Sequence, residues 1–181
     1  MIAALFLVIQ LLGQSQSETI LCDGDFPNAT EVITLLNRTY MLQSFDYSPD
    51  VQCAYQIFYY TKVGTYGLQH KYNTIVLSRR GTRLPSPLYV TRVVNSTIHL
   101  SNRPEVPVSP TEVKILYSDL RSCMVTKGPY AKELPQACRL WLTDSFFAEP
   151  PPECTAGFER HCKSRPFSYN ITGCINLNEH H

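Results

Sequence analysis

The residues of this sequence with the most chemical potential are its cysteines. All seven lie beyond residue 17, at Cys22, Cys53, Cys123, Cys138, Cys154, Cys162 and Cys174. Thiols bind metals or form disulfides, and His161 beside Cys162 raises the first possibility. The spacing is not that of a zinc site. We therefore predict a disulfide framework with one thiol left over, and neither a metal nor another cofactor.

Catalytic groups do not form a recognisable arrangement. The five histidines are scattered along the chain, at His70, His99, His161, His180 and His181. The sequence contains no Gly-x-Ser-x-Gly, His-Glu-x-x-His or nucleotide-binding loop. These observations predict a binding protein rather than an enzyme.

The first 17 residues predict the compartment. A largely apolar run, Ile2–Leu12, precedes small residues at Ser15 and Ser17, which is typical of a secretory signal peptide. The run is shorter than the roughly 20 residues of a membrane span, which favours cleavage over an uncleaved anchor. We expect a secreted monomer whose single domain spans residues 18–181.

Sequons and charge agree with that compartment. The predicted glycosylation sites are Asn28, Asn37, Asn95 and Asn170, each followed by Thr two positions later. The formal net charge is +1, and the longest run of Lys and Arg is the pair Arg79-Arg80. This pattern predicts neither a nucleic-acid partner nor an anionic membrane partner.

Short strands dominate the chain from residue 39 onwards. Eight stretches rich in Tyr, Val, Ile, Thr and Phe are separated by Gly, Pro and Asn turns, with no helical pattern between them. They are "TYMLQSFDY", "QCAYQIFYYTKV", "QHKYNTIVLSRR", "PLYVTRVV", "TIHLS", "TEVKILYSDL", "SCMVTK" and "ACRLWLTD". The pattern predicts an antiparallel all-β sandwich or barrel.

Helical patterns flank these strands. In "NATEVITLLNRTY", apolar residues recur at helical spacing behind a cap at Asn28 or Thr30. The prolines of 150–152 end the last strand, and "PPECTAGFERHCKSR" predicts a helix of about three turns with Cys154 and Cys162 on one face. A final extended segment, "FSYNITGC", ends at Cys174.

Eight up-and-down strands with an N-terminal helix and an outer C-terminal helix describe a lipocalin barrel. Such a barrel is wide enough to hold one small ligand. An immunoglobulin-like sandwich is the alternative. It is disfavoured because the only tryptophan, Trp141, lies in the last strand, whereas that fold keeps its tryptophan on an early strand.

The last third of the chain carries Cys123-Met124-Val125, then Arg139-Leu140-Trp141, then Cys154. In these residues and their spacing it resembles the tick salivary lipocalins of the histamine-binding-protein family. Amine-binding members carry Cys-Asp-aliphatic at the first place and Glu-Leu-aromatic at the second. The frame is kept, whereas the two acids are replaced by Met124 and Arg139.

The resemblance implies two disulfides, Cys123 with Cys154 and Cys53 with Cys174. Cys138 with Cys162 would complete three bridges and leave Cys22 odd. Pairing of Cys22 with Cys162 or Cys138 is the competing assignment, and the sequence does not decide between them.

Strand alternation places the substituted positions in the barrel. Successive side chains of a strand point to opposite faces. If Cys123 and Cys138 face outward to reach the helix, then Met124, Arg139 and Trp141 face inward. At the barrel rim, Arg139 would instead be solvated or pair with Asp144.

The substitutions argue against an amine ligand at this site. A buried ammonium needs a carboxylate partner, and a guanidinium in its place repels it. Acids elsewhere, at Asp46, Glu105, Glu112 and Asp119, leave a second amine site open.

A hydrophobic ligand suits the predicted lining better. That lining comprises Phe58, Tyr60, Ile75, Leu77, Tyr89, Val113, Ile115, Tyr117, Met124, Arg139 and Trp141. The ligand would be a sterol such as cholesterol, or an acidic lipid such as a fatty acid or leukotriene paired with Arg139. The resemblance further implies host immune modulation, as in the family's Japanin-like, cholesterol-holding branch. The alternative reading of these strands is an ordinary filled core.

Two long loops provide a second functional hypothesis. "SRRGTRLPSPLY" and "SNRPEVPVSP" are long for hairpins, and loops of that length often carry function. Through Arg79, Arg80 and Arg83 the barrel could act as a scaffold on a host immune-cell receptor or another host protein.

Overall fold

The computed structural model describes residues 22–45, 49–104, 111–128, 138–162 and 166–178. The predicted signal peptide, Asp46 and Glu105 lie outside the described residues. None of the helices in the described part of the chain is long and apolar enough to cross a membrane.

Ten strands and four α-helices make up the described fold. The strands are β1 Arg38–Ser44, β2 Val51–Lys62, β3 Leu68–Ser78, β4 Gly81–Arg83, β5 Leu88–Val94, β6 Thr97–Ser101, β7 Thr111–Ser118, β8 Cys123–Lys127, β9 Cys138–Leu142 and β10 Phe167–Ser168. The helices are α1 Ala29–Leu35, α2 Asp144–Phe147, α3 Pro152–Cys162 and α4 Thr172–Asn178, and a 3-10 turn covers Gly64–Tyr66.

Eight of the strands close into an antiparallel barrel, as predicted. Neighbours along the chain pair in the order β1-β2-β3-β5-β6-β7-β8-β9, and β9 pairs back with β1. Tyr40 lies opposite Leu142 and Met41 opposite Trp141 at this closing seam. Closure leaves the barrel without a free edge between β1 and β9.

Helix α1 closes one end of the barrel. Its start is capped by Asn28, whose side chain accepts a hydrogen bond from the backbone N–H of Thr30. The buried residues Ala29, Val32 and Ile33 belong to the same core cluster as the barrel interior. The predicted N-terminal helix is therefore confirmed, with Asn28 as its cap.

Helix α3 covers the outside of the barrel, also as predicted. Cys154, Phe158 and Cys162 are buried on its inner face and pack with Val125 and Leu140 of the barrel wall. Because Cys154 and Cys162 form bridges to β8 and β9, the outer faces of these strands are buried as well.

The C-terminal segment differs from the sequence expectation. Instead of staying extended to Cys174, the chain forms the two-residue strand β10 and then helix α4. The side chain of Asn170 accepts hydrogen bonds from the backbone and hydroxyl of Thr172 at the start of this helix. A polar side chain that satisfies the first free N–H groups allows a helix to begin here.

Candidate ligand-binding site

Met124 and Arg139, which stand where amine-binding members of the similar family carry acids, lie on the same inner face of the barrel. Strands β8 and β9 pair with Met124 opposite Trp141 and Thr126 opposite Arg139. All four side chains are buried, whereas Cys123 and Cys138 on the alternate positions form bridges outside. The predicted inward orientation of Met124, Arg139 and Trp141 is therefore the one observed.

Among the residues that the structure describes, Arg139 is the only charged one buried on the inner face of the barrel, with a relative exposure of 1%. Its Nη1 donates to the carbonyl of Gly128 at 3.2 Å. It lies one residue into β9, at the barrel end opposite α1, whereas Asp144 follows the other end of that strand. The structure thus places Arg139 in the interior, away from Asp144.

Trp141 lies deeper in the interior, toward α1. Its indole Nε1 donates to the Thr126 hydroxyl at 2.8 Å, so the polar atom of this fully buried ring is satisfied. The ring belongs to the interior cluster together with Met41, Phe58 and Met124.

A chain of neutral hydrogen bonds crosses the interior beside these residues. The amide of Gln56 donates to Thr39 Oγ1 at 3.1 Å and contacts Met124 Sδ at 3.2 Å. The Tyr72 hydroxyl donates to Gln56 Oε1 at 3.3 Å and accepts from Thr74 at 2.6 Å. Buried polar groups that satisfy one another in this way make the interior rigid.

Arg139 brings a positive charge close to the neutral hydrogen-bonding groups that the structure describes in the interior. Burial raises the pKa of Tyr72, while the Thr74 hydrogen bond and the positive charge of Arg139 oppose that rise. Tyr72 therefore remains a neutral phenol at physiological pH, available as a hydrogen-bond donor or acceptor.

Six of the eleven predicted lining residues are interior. Phe58, Val113, Ile115, Met124 and Trp141 belong to the interior cluster, and Arg139 shares their face. The strand register also places in the barrel interior four residues that were not predicted to line it, namely Thr39, Tyr72, Thr74 and Thr126. Gln56, which is 1% exposed, is interior as well.

Ile75 and Leu77 of β3 were predicted to line the barrel interior, and this prediction is wrong. Leu77 packs outside with the Cys53–Cys174 bridge, and Ile75 shares its strand face, whereas Tyr72 and Val76 point inward. The apolar character of Ile75 and Leu77 arises because the C-terminal segment covers this outer surface.

Tyr89 and Tyr60 also lie outside the interior. Tyr89 is half-buried on the outer face, where the Lys71 ammonium lies 4.5 Å from its ring centroid. Tyr60 is 64% exposed and stacks on His70, because its part of the β2–β3 hairpin extends past the barrel wall. Both positions are corrections to the predicted lining.

Tyr117 is turned outward by an irregularity in β7. The pairing with β8 shifts between Ile115 and Tyr117, so the alternation that keeps Ile115 inside is broken after it. The Tyr117 ring instead packs under α3, where a Cβ added to Gly157 would lie 2.6 Å from it.

The described carboxylates face outward. Asp119 accepts hydrogen bonds from the Ser122 hydroxyl and the backbone N–H groups of Arg121, Ser122 and Cys123, in the β7–β8 turn. Burial raises the pKa of Asp119, but these hydrogen bonds outweigh it and lower the pKa below its ordinary value. Glu112 pairs with His99 on the outer wall. Neither forms a described amine site inside the barrel.

The three predicted disulfides are present. The bridges are Cys53–Cys174, Cys123–Cys154 and Cys138–Cys162, and Cys22 is an exposed free thiol. The competing pairings of Cys22 are therefore wrong. Asp119 lies close to Cys123 and Cys154, but those sulfurs are bonded to each other.

The sequence matches the tick histamine-binding protein family over residues 27–174. The chain belongs to this family. The match spans the barrel, the outer helix α3 and all three bridges. No curated protein matches the sequence significantly.

One solved structure supports the fold. The chain is similar to the major cockroach allergen Per a 4, with a TM-score of 0.53 and 14% identity, over 87% of this chain and 97% of the allergen. It is also similar to the siderocalin Ex-FABP, described as having dual ligand specificities, with a TM-score of 0.47 and 14% identity over 71% and 85% of the two chains. At such identity the likeness to Per a 4 shows the fold alone.

Proposed function

We propose that this protein is a secreted carrier that holds a hydrophobic small molecule, with a sterol such as cholesterol as the first candidate. The family and the lipocalin barrel support small-ligand binding. Three disulfides fit the oxidising compartment of a secreted protein.

The observation that carries this proposal is the buried Arg139 on the inner face where amine-binding relatives have an acid. An ammonium ligand needs a carboxylate partner in a low-dielectric interior. The described interior instead supplies apolar and aromatic side chains with neutral hydrogen-bonding groups at Gln56, Tyr72 and Thr126. This combination suits an apolar molecule with one oxygen-bearing end.

An acidic lipid is the second candidate, because of the charge of Arg139. A guanidinium forms strong, bidentate hydrogen bonds with a carboxylate. A fatty acid or leukotriene would place its acid at Arg139 and its chain toward Trp141 and Phe58.

Lipid analysis of the protein secreted from eukaryotic cells tests the proposal. Native mass spectrometry would report bound mass, and organic extraction would identify the molecule. We expect one lipid per protein. A protein recovered without lipid that also takes up neither cholesterol nor a C20 fatty acid would refute the carrier function.

Variants of Arg139 separate the two candidates. We expect Arg139→Gln to bind cholesterol with little change if a sterol is the ligand, and to lose at least tenfold in affinity if an acid pairs with the guanidinium. Lys127→Gln is the matched control, because Lys127 is exposed on the outer wall of the neighbouring strand.

We propose, in line with the resemblance, that the protein modulates host immune or inflammatory responses. Arg79 and Arg80 are exposed in the β3–β4 turn, and Arg80 lies 3.7 Å from Asp50. Comparing loaded, delipidated and Arg79→Ala/Arg80→Ala protein on immune cells would test this role. Activity that follows the lipid supports a carrier, and activity that follows the arginines supports a scaffold acting through the loop.

A further inference from the structure

The β2–β3 hairpin extends beyond the barrel wall at the end that α1 closes. Strand β1 pairs with β2 up to Ile57, and β5 pairs with β3 from Lys71 onwards, whereas β2 and β3 pair with each other as far as Lys62. Residues 59–70, which we name the ribbon, therefore have no neighbouring strand among the described residues. At about 3.3 Å per residue, Lys62 lies roughly 16 Å beyond Ile57.

The ribbon exposes large apolar side chains. Tyr60, Tyr66 and Leu68 are 64%, 49% and 63% exposed. Tyr60 stacks on His70 with 4.3 Å between the ring centroids, and Leu68 shares the strand face of His70. Burial lowers the pKa of His70 below its usual value, so this ring is neutral at physiological pH and adds no charge. Apolar groups exposed so close together indicate an interaction surface.

The turn at the tip of the ribbon bonds its own backbone groups. The Val63 N–H donates to the Gly67 carbonyl at 2.9 Å, and the Tyr66 N–H donates to the Val63 carbonyl at 2.9 Å. The side-chain amide of Gln69 donates to the Tyr66 carbonyl at 2.7 Å. Because these polar groups already have partners, the tip can leave water at a lower cost.

The charge of the ribbon is positive. Lys62 is exposed directly opposite Leu68, and Lys71 lies at the base of the ribbon. The sequence contains no Asp or Glu between Asp50 and Glu105. The formal net charge of +1 does not predict an anionic membrane partner, but it does not show this local distribution. An anionic lipid surface attracts lysines placed in this way.

Acidic residues at the same end of the barrel lie on its opposite side. The Asn37 carbonyl, just after α1, accepts a hydrogen bond from the Phe58 N–H at 2.8 Å, which places the ribbon at the α1 end. Two strands, β5 and β6, separate β3 from β7, and two more, β9 and β1, separate β8 from β2. The cleft beside β7 is lined by the carboxylates of Asp23, Asp25, Glu31, Asp119 and Glu153. An anionic surface would repel this cleft and orient the ribbon toward itself.

We propose that the ribbon docks the protein onto an anionic phospholipid surface. Tyr60, Tyr66 and Leu68 would enter the headgroup region, and Lys62 would remain at the lipid phosphates. Tyrosine suits such an interface because its ring is apolar and its hydroxyl polar, and a lysine stem can lie along apolar groups while its ammonium stays in water. The centre of a protein interface, by contrast, is depleted of lysine. The ribbon lies outside the barrel, so the proposal does not depend on the ligand proposed for the interior.

Vesicle sedimentation tests the proposal, with vesicles of phosphatidylcholine and phosphatidylserine compared with vesicles of phosphatidylcholine alone. We expect the parent protein to bind the mixed vesicles more tightly. Tyr66→Ser/Leu68→Ser should weaken that binding at least about tenfold, because two apolar side chains no longer leave water. The matched control is Phe45→Ser/Leu84→Ser, which replaces an aromatic residue and a leucine that are 42% and 69% exposed outside the ribbon. It should bind as the parent protein does.

Two further variants test the charge and the contact separately. Lys62→Gln should weaken binding to the mixed vesicles about fivefold and leave binding to phosphatidylcholine alone unchanged. The emission of Tyr66→Trp should be quenched by vesicles that contain brominated phosphatidylcholine. Trp141 of the parent protein, which is buried in the barrel, should not be quenched. Circular dichroism confirms that each variant is folded.

Four results would overturn the proposal. They are no vesicle binding by the parent protein, equal losses in the two double variants, no effect of Lys62→Gln on the mixed vesicles, and no quenching of Tyr66→Trp. Self-association of the parent protein without vesicles, lost in Tyr66→Ser/Leu68→Ser, would also contradict it, because the ribbon would then bind a second copy of the chain.

Discussion

Asp25 of the N-terminal segment contacts His161 of the outer helix α3, with 2.8 Å between Oδ1 and Nε2. The same carboxylate oxygen lies 2.7 Å from Arg160 Nη2, and the Asp25 side chain is only 2% exposed. The contact joins the segment before α1 to α3, which is itself bonded to the barrel by two disulfides. Two elements far apart in the sequence are thereby joined over one outer surface.

This contact predicts an acid-dependent loss of stability. Burial alone would raise the pKa of Asp25, but hydrogen bonds from Arg160 and His161 lower it from 3.8 to about 2. Because the folded pKa is the lower one, the stabilisation is complete above about pH 4 and is lost as the pH falls through about 2. We expect Asp25→Asn to lower the free energy of unfolding by about 1 kcal/mol at pH 7, since the partly exposed Arg160 is screened.

Urea unfolding at pH 7, 4 and 2 measures this effect. The difference between Asp25→Asn and the parent protein should shrink at pH 2. Asp23→Asn, a change at an exposed neighbouring acid, is the control and should have little effect. A loss that is the same at every pH would show that packing, not the charge of Asp25, is responsible.

Removing different disulfides should lower the free energy of unfolding by different amounts. Cys53–Cys174 joins residues 121 apart, whereas Cys138–Cys162 joins residues 24 apart. Loop entropy predicts losses of about 5 and about 3.5 kcal/mol, respectively, when each pair is replaced by alanine. Urea unfolding of the two double variants measures the order. Cys22→Ser, which removes the exposed thiol, should leave stability unchanged, and the reverse order of the two losses would contradict the entropic account.

The fluorescence of Trp141 should report directly on the barrel interior. It is the only tryptophan, it is fully buried, and its Nε1 is bonded to Thr126. We expect blue-shifted emission in the folded protein and a concentration-dependent change when a lipid enters. Thr126→Val should shift the emission without unfolding the protein. Stoichiometric lipid binding with no change in emission would place the ligand outside the barrel.

The barrel could be predicted because strand composition and turn residues are local features of the sequence. All eight strands are rich in β-branched and aromatic residues and are bounded by turn residues. Cys123 and Cys138 also identified the outer face of the two strands that carry Met124 and Arg139. Once one residue of a strand is assigned to a face, period-two alternation assigns the rest.

The face of β3 could also have been found from the hairpin that precedes it. The β2–β3 pairing is symmetric about Thr65, so Gln56 lies opposite Thr74 and Phe58 opposite Tyr72. An inward Phe58 therefore requires an inward Tyr72 and an outward Leu77. The apolar side chains of Ile75 and Leu77 suggested an inward face, but they are apolar because α4 and the Cys53–Cys174 bridge cover the outer surface of this hairpin.

The orientation of Tyr117 had no comparable signal. The irregularity in β7 follows Ile115 without a Gly or Pro to mark it, and it depends on tertiary contacts that the sequence does not display. Tyr117 packs against α3 and the segment around Gly24, both distant in sequence. Such long-range packing overrides a regular local pattern.

Restoring the two acids should create an amine site. The change Met124→Asp/Arg139→Glu would place carboxylates on the inner face, where an ammonium ligand can neutralise them. We expect histamine affinity to rise at least tenfold over the parent protein, about 1.4 kcal/mol. Isothermal titration calorimetry on variants whose folding is confirmed by circular dichroism measures the gain. Met124→Asn/Arg139→Gln is the neutral control of similar shape, and equal histamine binding by both double variants would show that charge at these positions does not determine the ligand.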